Sequence, residues 1–249
     1  MNQVANAESA DSAYKSLYKL GGAAALIVVV LTLSEVIGLT FYPQPTTVSG
    51  WFMLFQSNRI LGVLDFWGLE VPMYVMFALV FLALYLVLRK ANAGLMAIAV
   101  TFALLGIAIF LATNNPVSML SLSNQYAAAT TEAQRSTFLA AGRAILANTN
   151  QRAVGGFNLG LFLVSVAGLI TSSVMLQSKS FSRLTAYVGI VANALSLADY
   201  LRQALTPSAT IALLVILPNA LFLVIWYVLV GRRLFQLGRL ESKMAPQQS

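Results

Sequence analysis

The chain has 249 residues, of which 59% are hydrophobic and only 9% charged, with a mean hydropathy of +0.79. A soluble domain carries roughly a quarter charged residues, so most of this surface is built for lipid rather than water. With no cysteine and no histidine, disulfides, thiol chemistry, iron–sulfur ligation and imidazole-based metal or haem sites are excluded, as is a serine–histidine hydrolase.

Six apolar runs are long enough to cross a hydrocarbon core of about 30 Å. They cover residues 20–41, 60–88, 93–113, 153–176, 183–205 and 209–230. The expected fold is therefore all-α: one six-helix membrane domain over 20–230, preceded by a polar segment, 1–19, and followed by a basic tail, 231–249. The first run is too long for a cleaved signal and contains Glu35, so it reads as a retained helix.

Lysine and arginine set the direction. With the N-terminus inside, Lys15, Lys19, Arg89, Lys90, Lys179, Arg183, Arg232, Arg233, Arg239 and Lys243 are cytoplasmic, and Arg59, Arg135, Arg143, Arg152 and Arg202 lie outside. Ten against five favours both termini in the cytoplasm. The net charge of +7 is thus a topology signal and not a nucleic-acid footprint. In the tail, "GRRLFQLGRLESK" sets four basic residues beside anionic headgroups, each worth about 1 kcal/mol.

Ionisable groups inside spans are costly enough to be functional candidates by default. Glu35 lies fifteen residues after Leu20, about 22 Å along the first helix, and Asp199 lies as far after Leu184 in the fifth. Arg202 is one turn beyond Asp199, within reach of an ion pair. Asn158 falls near the same level in the fourth span. Asn193, Ser196, Asp199, Tyr200 and Gln203 form a polar stripe on the fifth, which must face protein or water. The expected ligand-binding set is Glu35, Asp199, Asn193, Asn158 and Arg202, in an outward-facing pocket with Asp65 and Glu70 at its entrance.

In "GVLDFWGLEVPMY", counting back from Leu88 puts Glu70 at the outer boundary and Asp65 a turn beyond it. Pro72 either kinks the helix or stands in the first turn of a new one, where Glu70 would meet a helix N-terminus. Trp51, Phe52, Phe55, Phe66 and Trp67 fit an interfacial aromatic belt. In the 114–152 connection, Asn115-Pro116 starts a helix. Thr131-x-x-Gln134 reads as a capping box opening an amphipathic helix that ends near Asn148, to lie in the headgroup plane or over the bundle as a lid.

The halves show no convincing inverted repeat, and no glycine-rich phosphate loop precedes a helix. Three stretches resemble a known family when taken together: "NRILGVLDFWGLEVPMYVMFALVFLALYLVLRK", "NNPVSMLSLSNQYAAATTEAQRSTFLAAGRAILA" and "GGFNLGLFLVSVAGLITSSVMLQSKSFSRLTAYVGIVANAL". The chain is similar, from about residue 15 to 230, to bacterial integral membrane proteins grouped as domain of unknown function 4386. The most specific element is the central "LSLSNQYAAATTEAQRSTFLAAGRAIL". The resemblance implies a six-helix protein of the bacterial cytoplasmic membrane and brings no activity or cofactor.

The composition and polar positions favour a non-enzymatic protein that binds or transports a small polar solute or cation. The alternative is a membrane module acting through lipid or an unidentified protein partner, in signalling or envelope stress. There the carboxylates only fix packing, and Ala24, Gly38, Gly160 and Gly168 permit close helix approach. A hydrolase built on a Glu35–Asp199 carboxylate pair is the remaining class.

Overall fold

A computed structural model describes residues 2–41, 44–148, 159–205 and 209–244, with side chains at 14–38, 41, 44–147, 159–202 and 214–239. In a bilayer every backbone polar group must be satisfied within the protein, which leaves helices as the spanning element for apolar runs of this length. In chain order the helices are α1 Asn2–Phe41, α2 Val48–Ser57, α3 Arg59–Val63, α4 Glu70–Leu88, α5 Ala93–Thr113, α6 Pro116–Ala128, α7 Glu132–Asn148, α8 Leu159–Gln177, α9 Arg183–Leu205 and α10 Ala209–Met244. Among the described residues, six helical stretches are long and apolar enough to cross a membrane. α1 begins at Asn2 and α10 runs to Met244, so the described parts of both terminal segments continue their neighbouring spans as helix.

Local chemistry sets the boundaries. Asn92 accepts from the Leu95 N–H at 3.0 Å to open α5, and Asn115 accepts from Val117 at 2.9 Å with Pro116 in the first turn of α6. The capping box closes as its sequence signature predicts. The Gln134 N–H donates to Thr131 Oγ1 at 3.2 Å, and the Thr131 N–H donates to Gln134 Oε1 at 3.3 Å.

Each spanning helix packs on its sequence neighbour and α10 returns to α1, closing a ring in the order α1, α4, α5, α8, α9, α10. Close approach relies on small residues. A Cβ at Gly106 would come within 2.6 Å of the Gly160 carbonyl oxygen, and one at Gly168 within 2.0 Å of Asn193 Oδ1. Ala24 is likewise buried, whereas Gly38 meets nothing within 4 Å and takes no part in helix contact. The opposite faces carry large exposed apolar side chains, as on α10 at Leu214, Leu217, Leu221, Ile225 and Val228. Their 3–4-residue spacing defines one lipid-facing stripe.

The two ends of the ring differ. At one, the Lys15–Lys19 stretch of α1 meets α10 near Gly238, which packs on Lys19 and Tyr18. Here too Arg89 reaches the Tyr14 hydroxyl, and Arg233 donates to the Ser180 carbonyl in the α8–α9 connection. At the other, α2, α3, α6 and α7 build a helical cap with its own core of Val48, Trp51, Phe52, Phe55, Phe66, Met119 and Leu146. This corrects the aromatic-belt expectation: Trp51, Phe52, Phe55 and Phe66 are at most 1% exposed and pack on one another, with Trp51 and Phe66 edge-to-face at 4.9 Å. Their apolar surface is covered by α6 and α7 rather than by headgroups. Gly142 and Leu146 of α7 turn onto the cap, Gly142 against Val48 and Phe52.

The second span is broken where the cap joins the ring. Residues Leu64–Gly68 form a π-type turn in which Phe66 and Trp67 leave helical geometry, Trp67 with a φ of 64°. The break precedes Pro72, which stands in the first turn of α4, the second of the two placements its ring allows. Gly68 is required there, since a Cβ would fall 2.2 Å from the Val63 carbonyl oxygen.

Candidate functional site

A cavity of about 630 Å³ lies in the cap-side half of the ring, walled by α1, α4, α8, α9 and α10 and reaching the exposed Val36 and Leu217 between α1 and α10. Helical spacing decides what reaches it. Asn193, Ser196 and Tyr200 of α9 share one face at i, i+3 and i+7, and all three line the wall. The Asn193 amide donates to the Gly189 carbonyl at 2.8 Å. Ser196 donates to Asn219 Oδ1 on α10 at 3.0 Å, tying two walls together. Asn219 follows Pro218, whose missing N–H interrupts the α10 hydrogen-bond ladder beside the cavity. From α1 come Thr32 and Glu35, one turn apart, and Gln44 extends in from the connection to the cap. Gln44 also donates to the Asp65 carbonyl at 2.9 Å and to its carboxylate at 3.3 Å.

The rest of the wall is aromatic and aliphatic. Tyr74 and Phe77 of α4 and Tyr227 of α10 face the cavity, with Phe77 and Tyr227 stacked at 5.5 Å and 11°. Tyr74 stacks on Phe110 of α5 at 3.7 Å. Its hydroxyl is fully buried with no hydrogen-bond partner among the described residues.

Glu35 meets Glu70. The two carboxyl groups face each other across the α1–α4 contact, and Glu70 is only 6% exposed. This corrects the placement of Glu70 at a wet pocket entrance. Depth counted back from Leu88 assumes that the chain beyond Glu70 runs on into water, but the 64–68 turn folds it into the cap. Glu70 also begins α4, so its carboxylate gains from the helix N-terminus and accepts its own backbone N–H. Its Oε2 is buried with no partner among the described residues.

The other expected residues separate into groups. Asn193 lines the cavity with Glu35. Asp199 and Arg202 form a buried ion pair with N···O distances of 2.8 and 2.9 Å and side chains 9% and 10% exposed. Neither lines the cavity, so Glu35 and Asp199 do not share its wall. Asp65 is half-buried and held by Gln44 at the junction with the cap. Asn158 and the Gln203 side chain lie outside the described residues. Among the described residues, no group of three or more carboxylates gathers as a metal site would. Sequence reading missed Asn219, Tyr74 and Tyr227. A proline–asparagine pair inside an apolar span was the available signal for the first. The two tyrosines carry no such mark in so aromatic a chain.

The model of the family described as Domain of unknown function (DUF4386) matches residues 22–231. No curated protein and no solved structure matches the chain.

Proposed function

Since the chain belongs to the DUF4386 family, whose description carries no activity to transfer, we propose a function from the site itself. The protein binds, and carries across the membrane, a small polar solute or cation held in the ring cavity, and it does so without catalysing a reaction. One observation carries this reading: Glu35, Asn193, Ser196, Asn219 and Tyr200 converge on a cavity inside a lipid-exposed helical ring. Polar groups at that depth are expensive unless they serve a ligand or one another.

The excess of basic residues at the end opposite the cap supports a cytoplasmic assignment for that end, and so an outward-facing cavity beneath the cap. A bacterial cytoplasmic membrane suits this arrangement, since the basic residues Arg232, Arg233 and Arg239 then lie on the side of its anionic inner leaflet.

The test is a thermal-shift panel of amines, inorganic cations, sugars and amino acids on purified protein, beside Glu35→Gln and Asn219→Ala. A ligand at a hundred times its Kd stabilises by about 2.7 kcal/mol, a rise of several degrees. A shift abolished by those substitutions supports the reading. No shift with any compound, together with a recurrent protein crosslinked to the chain in cells, would replace it with the partner-module alternative.

A further inference from the structure

We propose that the Glu35–Glu70 pair is a proton-exchange site, releasing one proton for each monovalent organic cation that enters the cavity. The proposal rests on the solute-site reading above and names its substrate class.

The Glu35 and Glu70 carboxyl groups face each other closely enough to interact, and two carboxyl groups so placed inside a bundle hold one proton between them. Without that proton, two like charges would face each other at contact in a low-dielectric interior. The charges balance on exchange. The singly protonated pair carries −1; two carboxylates with one bound monovalent cation also carry −1, and the proton leaves by way of Glu35, which is on the cavity wall. A cation therefore substitutes for the proton without adding charge to the membrane interior.

The unpartnered Tyr74 hydroxyl is a second pointer to a ligand, being fully buried, on the same wall and one turn from Glu70. The class of cation follows from the rest of the wall. A space of about 630 Å³ is far larger than a bare metal ion fills, and a hard cation takes six or more oxygen ligands. The aromatic side chains of Phe77, Tyr200 and Tyr227 on the wall instead suit an alkyl- or arylammonium ion through cation–π attraction. The titratable groups around the pair are Asp65 in the turn before α4, Tyr74 on α4, Tyr200 on α9 and Tyr227 on α10. The Asp199–Arg202 ion pair flanks Tyr200 on α9.

Tetraphenylphosphonium is a suitable probe because it is a permanent cation with no proton of its own. Titration calorimetry in two buffers of different ionisation enthalpy, on the full chain in lipid nanodiscs, counts the protons released. The expected result is about one per cation, with Kd falling about tenfold per pH unit while the pair keeps its proton. In Glu70→Gln the amide donates permanently to Glu35, so binding persists, proton release falls to zero and the pH dependence vanishes. Glu35→Gln removes the cavity-facing charge and weakens binding more than tenfold. Should either variant fail to fold, difference infrared spectra of the unaltered chain read the same event as loss of a protonated-carboxyl C=O stretch on adding the cation. Binding without proton release, continued release from Glu70→Gln, or binding of neutral solutes alone overturns the exchange and leaves the solute site standing. If neither the probe nor any compound of the panel binds, both fall.

Discussion

Gly189 sits where α8, α9 and α10 meet with little room to yield. A Cβ added there would lie 2.2 Å from Ser172 Oγ, 2.3 Å from Trp226 Nε1 and 2.7 Å from Trp226 Cδ1. The serine hydroxyl can rotate back onto its own helix. The indole cannot move so easily, since Trp226 is 1% exposed and packs edge-on against Tyr227 at 5.0 Å. Over-packing costs about 1–3 kcal/mol, and a clash this short with a confined ring belongs near the upper end. Alanine returns up to about 1 kcal/mol in helix propensity over glycine. Gly189→Ala should therefore destabilise by about 2 kcal/mol. Gly38→Ala, with nothing within 4 Å, should be neutral or stabilising by up to about 1 kcal/mol. The assay is reversible unfolding in mixed micelles titrated with SDS, followed by near-UV circular dichroism. Adding Trp226→Phe to Gly189→Ala should show favourable coupling in a double-mutant cycle, because the smaller ring vacates the clash. If Gly189→Ala is as stable as Gly38→Ala, the packing described for α9 against α10 is wrong.

In the same assay, Asp199→Asn should cost up to about 3–5 kcal/mol by removing the carboxylate that faces buried Arg202, against under about 1 kcal/mol for Glu132→Ala, whose pair with Arg135 is exposed; equal costs would contradict the burial of the first pair. Trp67 holds a left-handed φ, so Trp67→Gly should be more stable than Trp67→Ala by about 1 kcal/mol although both lose the indole, and the reverse order would remove the left-handed turn. Thr131→Ala should lose about 1 kcal/mol of capping at the start of α7, seen as faster amide exchange at residues 134–137 with the ring helices unchanged; unaltered exchange would mean that the capping box does not hold the helix.

Much of the architecture was written in local chemistry. Uninterrupted apolar runs demand spanning helices whatever surrounds them, and Asn115-Pro116 and Thr131-x-x-Gln134 open helices through atoms a few residues apart. The polar stripe on α9 was legible for the same reason, since 100° per residue fixes which side chains share a face. The carboxylate pairing was not. Counting rise per residue puts Glu35 and Asp199 at similar depth, which made them natural partners on paper, yet Glu35 faces Glu70 and Asp199 pairs with Arg202.

Sequence by itself determined which segments are helices of spanning length, because backbone hydrogen bonding and transfer free energy act on each segment alone. The tertiary structure decided the position of each residue around the bundle. Which face of α1 turns toward α4 depends on glycine and alanine contacts between helices distant in the chain, such as Gly21 against Ala83. The same packing turned the aromatic residues of α2 and the 64–68 turn from an interfacial girdle into a cap core. It also buried Glu70 beneath that cap, because the cost of exposing apolar surface is settled by whatever other surface is there to cover it.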